Sequence, residues 1–423
     1  MELGRLVEPD RGISYGIVQP GKPVADGVPI ARVSDVREGR INTEAPLRVA
    51  RAIEAAYSRT RLRGGELLIT IVGTVGETAI VPESLAGWNV ARAIAVLPVR
   101  HEIGAYWVKL ALCAPEVREI IQSRLNTTVQ ATLNLGDLAK LPITLPPRVD
   151  RERIAHILGA LDDKIDLNRR MNEALEAMAR AIFKDWFVYF GPTRAKLEGR
   201  APYLAPEIWD LFPERLDDDD KPKGWVLAAL DDFSMLNPES WSRSNYPEHV
   251  DYVDLSNTKW GTIEAPERHN KETAPSRAQR VLRNGDTIVG TVRPGNGSFA
   301  LVGENGLTGS TGFAVLRPRR AQCREFVYLA ATSPLNIERL SHLADGAAYP
   351  AVRPEIVYIT EIARAGDEIM DAFHRTTASL IDRIEANKLE ARTLAATRDL
   401  LLPKLMSGEV RMKDADRIVG DVP

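Results

Sequence analysis

The segment GTVRPGNGS, residues 290–298, is the nearest the chain comes to a phosphate-binding loop. Such a loop needs Lys and then Ser or Thr after its last glycine, so that an ammonium reaches the phosphates and a hydroxyl reaches Mg²⁺. Asn296 stands where the lysine should be. GNGSFA also fits the dinucleotide pattern G-x-G-x-x-A, but the residues after it read as a strand, and without a helix N-terminus nothing holds a pyrophosphate. His101, His156, His249, His269, His342 and His374 stand singly, without an H-x-x-x-H or C-x-x-C companion, and are read as surface or capping residues. Cys113 and Cys323 lie in apolar surroundings and are expected as buried thiols. No G-x-S-x-G nucleophile elbow occurs, nor a [DN]-P-P-[FY] tetrapeptide that grips a flipped base in amino-methyltransferases. These residues predict a binder with no catalytic residue, no bound cofactor and no metal of its own.

The binding groups must be positioned by larger elements. A chain of 423 residues exceeds what one core serves, so two or three domains are expected. Its 44% hydrophobic and 27% charged content is ordinary for packed domains. The net charge of −3 neither advertises nor excludes a nucleic-acid partner, because part of the acid is parked in LDDDDK, residues 216–221. The N-terminal MELGRLVEPDRG has neither a basic region nor an apolar core, and no apolar run approaches bilayer length, so a cytoplasmic protein is expected.

The chain repeats itself. LRGGELLITIV at 62–72 answers LRNGDTIVGTV at 282–292, and LGRLVE at 3–8 answers LAALDD at 227–232. VPIARVSDVREGRI at 28–41 answers VDYVDLSNTKWGTI at 250–263, with Ser34/Ser256, Gly39/Gly261 and Ile41/Ile263 in step, and AIVPE at 79–83 answers ALVGE at 300–304. Each copy is rich in short β-type runs separated by Gly, Pro, Asn and Asp. Each is followed by one helix of moderate length, AYWVKLALCAPEVREIIQSR and REFVYLAATSPLNIERLSHL. Two α+β units dominated by twisted sheets are predicted.

Each unit leads into a long helix. Ile154, Leu158, Leu161, Ile165, Asn168, Asn172, Leu175, Ala179, Ile182 and Trp186 recur in steps of four and three, a heptad seam. Ile369, Phe373, Thr376, Leu380, Ile384, Asn387, Ala391, Leu394, Arg398 and Leu401 nearly repeat it, with a stutter at 380–384, and Pro403 is expected to stop the helix. Asn168, Asn172 and Asn387 would fix the register of an antiparallel pair, or lie partly solvated. Phe183, Trp186 and Phe187 form an aromatic cluster read chiefly as packing against the adjoining connector, with a docking patch as the other reading. A pair of about thirty-five residues is on the order of 50 Å long. Two sheet domains on it could meet DNA patches about one helical turn or more apart.

Three segments carry a family resemblance: NLGDLAKLPITLPPRVDRERIAHILGALDDKIDLNRRMNEALEAMARAIF at 134–183, FKDWFVYFGPTRAKLEGRAPYLAPEIWDLFPERL at 183–216, and LLPKLMSGEV at 401–410. Together they resemble the specificity subunit of type I restriction–modification systems, over nearly the whole chain. The resemblance implies target recognition domain 1 at 1–150, a first spacer helix at 151–190 and a connector at 191–224. It places target recognition domain 2 at 225–365, a second spacer helix at 366–410 and a C-terminal tail at 411–423. The expected fold is α+β and pseudo-twofold symmetric, with two similar sheet-rich domains separated by two long helices in an antiparallel coiled coil. The implied partners are double-stranded DNA with a bipartite asymmetric target, two methyltransferase subunits and, in the full complex, two restriction subunits. S-adenosylmethionine, ATP and Mg are expected on those partners and not on this chain. The second copy departs from the pattern in two places: ADGAAYPAVRPEIVYITEI replaces NTTVQATLNLGDLAKLPI, whose Gln130 and Leu133 fit the family's polar turn, and RPGNG at 293–297 replaces GTVG at 73–76.

Base reading uses Arg, Lys, Asn, Gln, Ser and Thr on loops, with others on phosphates. In the first domain the candidates are Tyr15, Gln19, Lys22, Arg32, Arg37, Arg40, Thr74, Asn89 and Arg92. In the second they are Ser242, Arg243, Asn245, Lys259, Arg293, Asn296, Thr308 and Ser310. Gly73, Gly76, Gly295 and Gly297 serve either close backbone approach or positive φ in turns. Two rival readings stay open here: an enzyme whose site follows no recognised motif, and a coiled-coil scaffold without a DNA role.

Overall fold

The computed structural model describes residues 1–37, 39–126, 131–346 and 349–410. Gln130 and the tail at 411–423 lie outside the described residues. The chain divides into two compact units: Met1–Asp166 with the stretch that begins at Glu390, and Leu167–Leu389. Both boundaries fall inside the long helices, Arg148–Phe187 and Asp367–Ser407, so each unit joins one sheet-rich head to a segment of each helix.

In the first unit an antiparallel sheet runs in the order Ser14–Tyr15, Ile94–Leu97, Leu67–Thr70, Thr78–Ile80. Its central strand, LLIT, is buried on both faces. Because side chains alternate along a strand, Leu67 and Ile69 enter a core with Val108 and Ala111 of a helix, whereas Leu68 enters a second core with Val36 and Val90. A smaller sheet sets Val28–Ala31 antiparallel to Leu47–Val49 and parallel to Asn89–Val90. Val36–Arg37 and Arg40–Ile41 form a hairpin.

The second unit repeats this plan. Its antiparallel sheet runs Ser234–Leu236, Phe313–Pro318, Thr287–Gly290, Phe299–Leu301, and again a buried strand divides its side chains, Val289 to one core and Ile288 to another. His249–Val253 pairs antiparallel with Glu267–Asn270 and parallel with Leu307–Ser310, and Thr258–Lys259 with Thr262–Ile263 forms the hairpin. Ala278–Val281 adds a strand next to Leu307–Ser310. The matched segments of the repeat thus occupy matched places: Gly39 and Gly261 both turn a hairpin at positive φ, 83° and 86°.

Three sequence expectations are corrected. The single moderate helix in each copy is two, Ala105–Cys113 with Pro115–Ser123 and Arg324–Ala331 with Pro334–Leu343. Pro115 and Pro334 force the preceding Ala114 and Ser333 into extended backbone, ψ 139° and 143°, and each proline opens the next helix, where its missing N–H costs nothing. Pro403 does not stop the last helix, which continues to Ser407. Leu401, Leu402 and Leu405 bury 97% or more of their surface in one core with Ile154, Leu158 and Leu161, and that packing carries the helix past the lost bond. Cys323 is buried, but Cys113 is only partly so.

The long helices pair inside each unit. In the first, Lys164 meets Glu390 and Asp162 meets Arg398. In the second, Asn387 Nδ2 donates to Asn172 Oδ1 at 2.8 Å, and the Phe183 and Phe373 rings lie 6.2 Å apart. Numbers rise along one helix as they fall along the other, so the pairing is antiparallel. Most expected seam positions are buried, but near the stutter the deepest residues are Thr377 and Ile381, at 0% and 1% exposure, one place beyond Thr376 and Leu380. Phe183, Trp186 and Phe187 pack with Phe212 and Trp225 from the connector side, the packing reading of that cluster.

Candidate nucleic-acid interface

In the first unit the exposed candidates fall on three loops. Tyr15, Gln19 and Lys22 line the segment after the first strand, and Arg92 joins them because its N–H bonds to the Ile17 carbonyl at 2.9 Å. Arg37 is exposed on the hairpin. Thr74 is exposed in the turn after Leu67–Thr70, where Gly73 and Gly76 have φ of 79° and 97°. Two arginines are committed within the fold. The Arg32 guanidinium donates twice to Asp35, at 2.9 and 3.0 Å. Arg40 is half-buried, and its guanidinium pairs with Asp166, tying the hairpin to the first long helix.

Asn89, Thr308 and Ser310 are corrected as reading residues, because burial leaves them no edge to present. Asn89 is 0% exposed; its amide donates to Glu54 at 3.0 Å and to the Tyr57 carbonyl, and its oxygen accepts from Thr60 at 2.7 Å. The Arg61 guanidinium holds the Glu54 carboxyl below its ordinary range, so this network stays ionised and satisfied. Thr308 holds the equivalent place in the second unit, on the strand parallel to Tyr252, and accepts from the Trp241 indole at 3.0 Å. Ser310, 2% exposed, accepts from the Gly312 N–H.

The remaining candidates of the second unit are exposed, Lys259 partly so. Ser242, Arg243 and Asn245 sit on one loop, where Asn245 Oδ1 accepts from the backbone and hydroxyl of Ser242 at 2.6 and 2.8 Å. Lys259, Arg293 and Asn296 come together: the Lys259 ammonium reaches Ser298 Oγ at 3.3 Å, Trp260 N–H donates to the Gly297 carbonyl at 2.7 Å, and Asn296 N–H donates to the Arg293 carbonyl. Gly297 has φ 70°, but Gly295 needs no positive φ. A cleft of about 600 Å³ opens beside this group, its lining including Trp260, Gly295, Phe299, Glu176 and Arg180.

Among the described residues no three His, Cys, Asp or Glu are placed to hold a metal ion. His374, the histidine nearest to a specific role, binds Glu325 at 2.6 Å, a carboxylate with 0% exposure. The arrangement offers hydrogen-bonding side chains on loops and a rigid backing, and the described candidates bring no nucleophile or base to a common point.

Residues 25–177 match the family model of the type I restriction modification DNA specificity domain. The HindI specificity subunit of Haemophilus influenzae is 25% identical over 348 residues, covering 69% of this chain and 73% of that protein. The EcoBI specificity subunit of Escherichia coli is 29% identical over 175 residues, covering 41% and 37%. The chain is thus similar in sequence to specificity subunits of type I restriction–modification systems. A solved S subunit from M. genitalium has the same fold, with a TM-score of 0.50 at 12% identity over 96% of this chain and 95% of that one.

Sequence reasoning missed two exposed aromatics beside the Arg293 loop. Trp260 is 63% exposed at φ 44°, and Tyr349 is 74% exposed with the Arg293 guanidinium 5.1 Å from its ring. Trp260 carried a signal, since an aromatic before the hairpin glycine is costly unless used. Tyr349 carried none, because only the fold brings residues 293 and 349 together.

Proposed function

We propose that this chain is the DNA-reading subunit of a type I restriction–modification complex, each head addressing one half of a split, asymmetric sequence. The observation that supports this most is a shared backbone frame bearing different exposed groups: one topology is built twice, with Arg37 and Thr74 outside in one copy and Arg243 and Arg293 in the other. A reader of two unlike half-sites needs that combination. The catalytic work is assigned to partners, two methyltransferase subunits that carry S-adenosylmethionine and, in the full complex, two restriction subunits that use ATP and Mg. Such a subunit works where the DNA is, in the cytoplasm; among the described residues no helix is long and apolar enough to cross a membrane.

The test is co-expression with the cognate methyltransferase and sequencing of methylated adenines. A motif of two short fixed blocks around unread bases is expected; methylation without sequence preference contradicts the reading. The purified chain alone, given S-adenosylmethionine or Mg²⁺, should neither methylate nor cut DNA.

A further inference from the structure

The two places where the second copy departs from its family pattern meet in space. Arg293 N–H donates to the Pro350 carbonyl at 2.7 Å, Val292 bridges Ala351, and Asp345 bridges Ala351. The first copy has the same frame: Gly73 N–H donates to the Ala131 carbonyl at 2.9 Å, Val72 bridges Thr132, and Asn126 bridges Thr132. Even the neighbouring hairpin is held alike, by parallel bridges Gly39 to Ala79 and Gly261 to Ala300. The backbone is therefore shared between copies and the contents are exchanged: where the first has Gly73, the second has an arginine.

The residues that the second copy installs there are unusual for a solvated turn. Trp260 stands edge-on to Phe299 at 5.7 Å and Tyr349 backs the Arg293 guanidinium, yet both aromatic residues remain more than half exposed. Trp260 and Arg293 hold φ of 44° and 48°, two of six non-glycine residues at positive φ among those described. Such conformations persist where the surroundings over-determine them and cluster at binding sites. Gly297 shapes the patch, since a Cβ on it would lie 2.5 Å from the Trp260 ring. The stacked guanidinium is pre-organised as a flat fork, the geometry that pairs with the O6 and N7 of guanine, and Asn296 beside it carries the amide that pairs with adenine.

We infer that Trp260, Arg293, Asn296 and Tyr349 form the base-reading patch of the second head, with Arg293 addressing a guanine and the two aromatics making apolar contact with the neighbouring bases. The inference rests on the DNA-reading role proposed above and adds where on the second head the reading is done.

The test uses the full chain in complex with its methyltransferase. Arg293→Ala should relax one base position in one half of the methylated motif, lowering discrimination about tenfold or more, while the other half stays unchanged. Arg293→Lys keeps the charge but not the fork and should relax the same position. Trp260→Ala and Tyr349→Ala should weaken cognate DNA binding, with assembly by size-exclusion and thermal unfolding near wild type. The inference is overturned if the variants assemble and retain the wild-type motif, if Arg293→Lys restores full specificity, or if Trp260→Ala and Tyr349→Ala lose the methyltransferase and not the DNA. If the wild-type complex itself yields no split motif, the DNA-reading role fails first.

Discussion

Asp162, on the first long helix, accepts from Tyr106 and Lys109 of the first head, both at 3.0 Å, and from Arg398 of the second long helix at 2.7 Å. Burial acts to raise its carboxyl, but Lys109 and Arg398 outweigh burial and hold it below the ordinary range; burial and the same carboxylate push the Tyr106 hydroxyl upward, so it remains a donor. Asp162→Ala should cost about 2–4 kcal/mol in denaturant unfolding at neutral pH, since it removes the carboxylate partner of the largely buried Lys109 and leaves Arg398 with Asp399 alone. Because the folded carboxyl titrates lower than the unfolded one, its contribution is complete above the ordinary carboxylate range and is lost as pH falls through the lowered value. The gap between wild type and variant should therefore close on the acid side; a gap that widened there would contradict the assignment. At this scale the sequence was least legible. Gln19, Arg37 and Thr74 are exposed as expected, but Asn89 and Thr308 have the same residue types and lie inside, and only strand pairing separates the two cases.

Among elements, the repeat and the seam were legible because both are periodic, one in chain segments and the other in steps of four and three. Helix breaks at Pro115 and Pro334 were readable in principle from the extended residue each proline demands. The survival of the helix past Pro403 was not, since it depends on Leu401, Leu402 and Leu405 finding a distant partner surface. Pro403→Ala restores one backbone donor inside an already packed helix and should stabilise the first unit by about 1–3 kcal/mol, read as a rise in thermal midpoint; destabilisation would mean that the ring itself is needed in the packing. Asn387 is 2% exposed and donates to Asn172. Asn172→Ala leaves that buried amide without this acceptor and should cost about 1–2 kcal/mol, whereas replacing both asparagines with leucine should recover stability, as an apolar seam does.

For the whole molecule, the net charge of −3 leaves no global attraction to DNA, so the proposed DNA-reading role calls on local cations, and Arg37, Arg92, Arg243 and Arg293 are exposed. Phosphate contacts release counterions, and six or more of them should lower affinity by roughly 10³ between 50 and 200 mM salt; a titration by fluorescence anisotropy on the methyltransferase complex measures the slope, and a flat one would argue for a scaffold. Two heads with one frame and unlike surfaces should also be separable in function. Replacing residues 1–150 with the corresponding domain of a relative, then sequencing the methylated adenines, tests this most directly. The motif should change in one half and keep the other half unaltered; a motif that changed in both halves, or in neither, would contradict the reading of one half-site by each head.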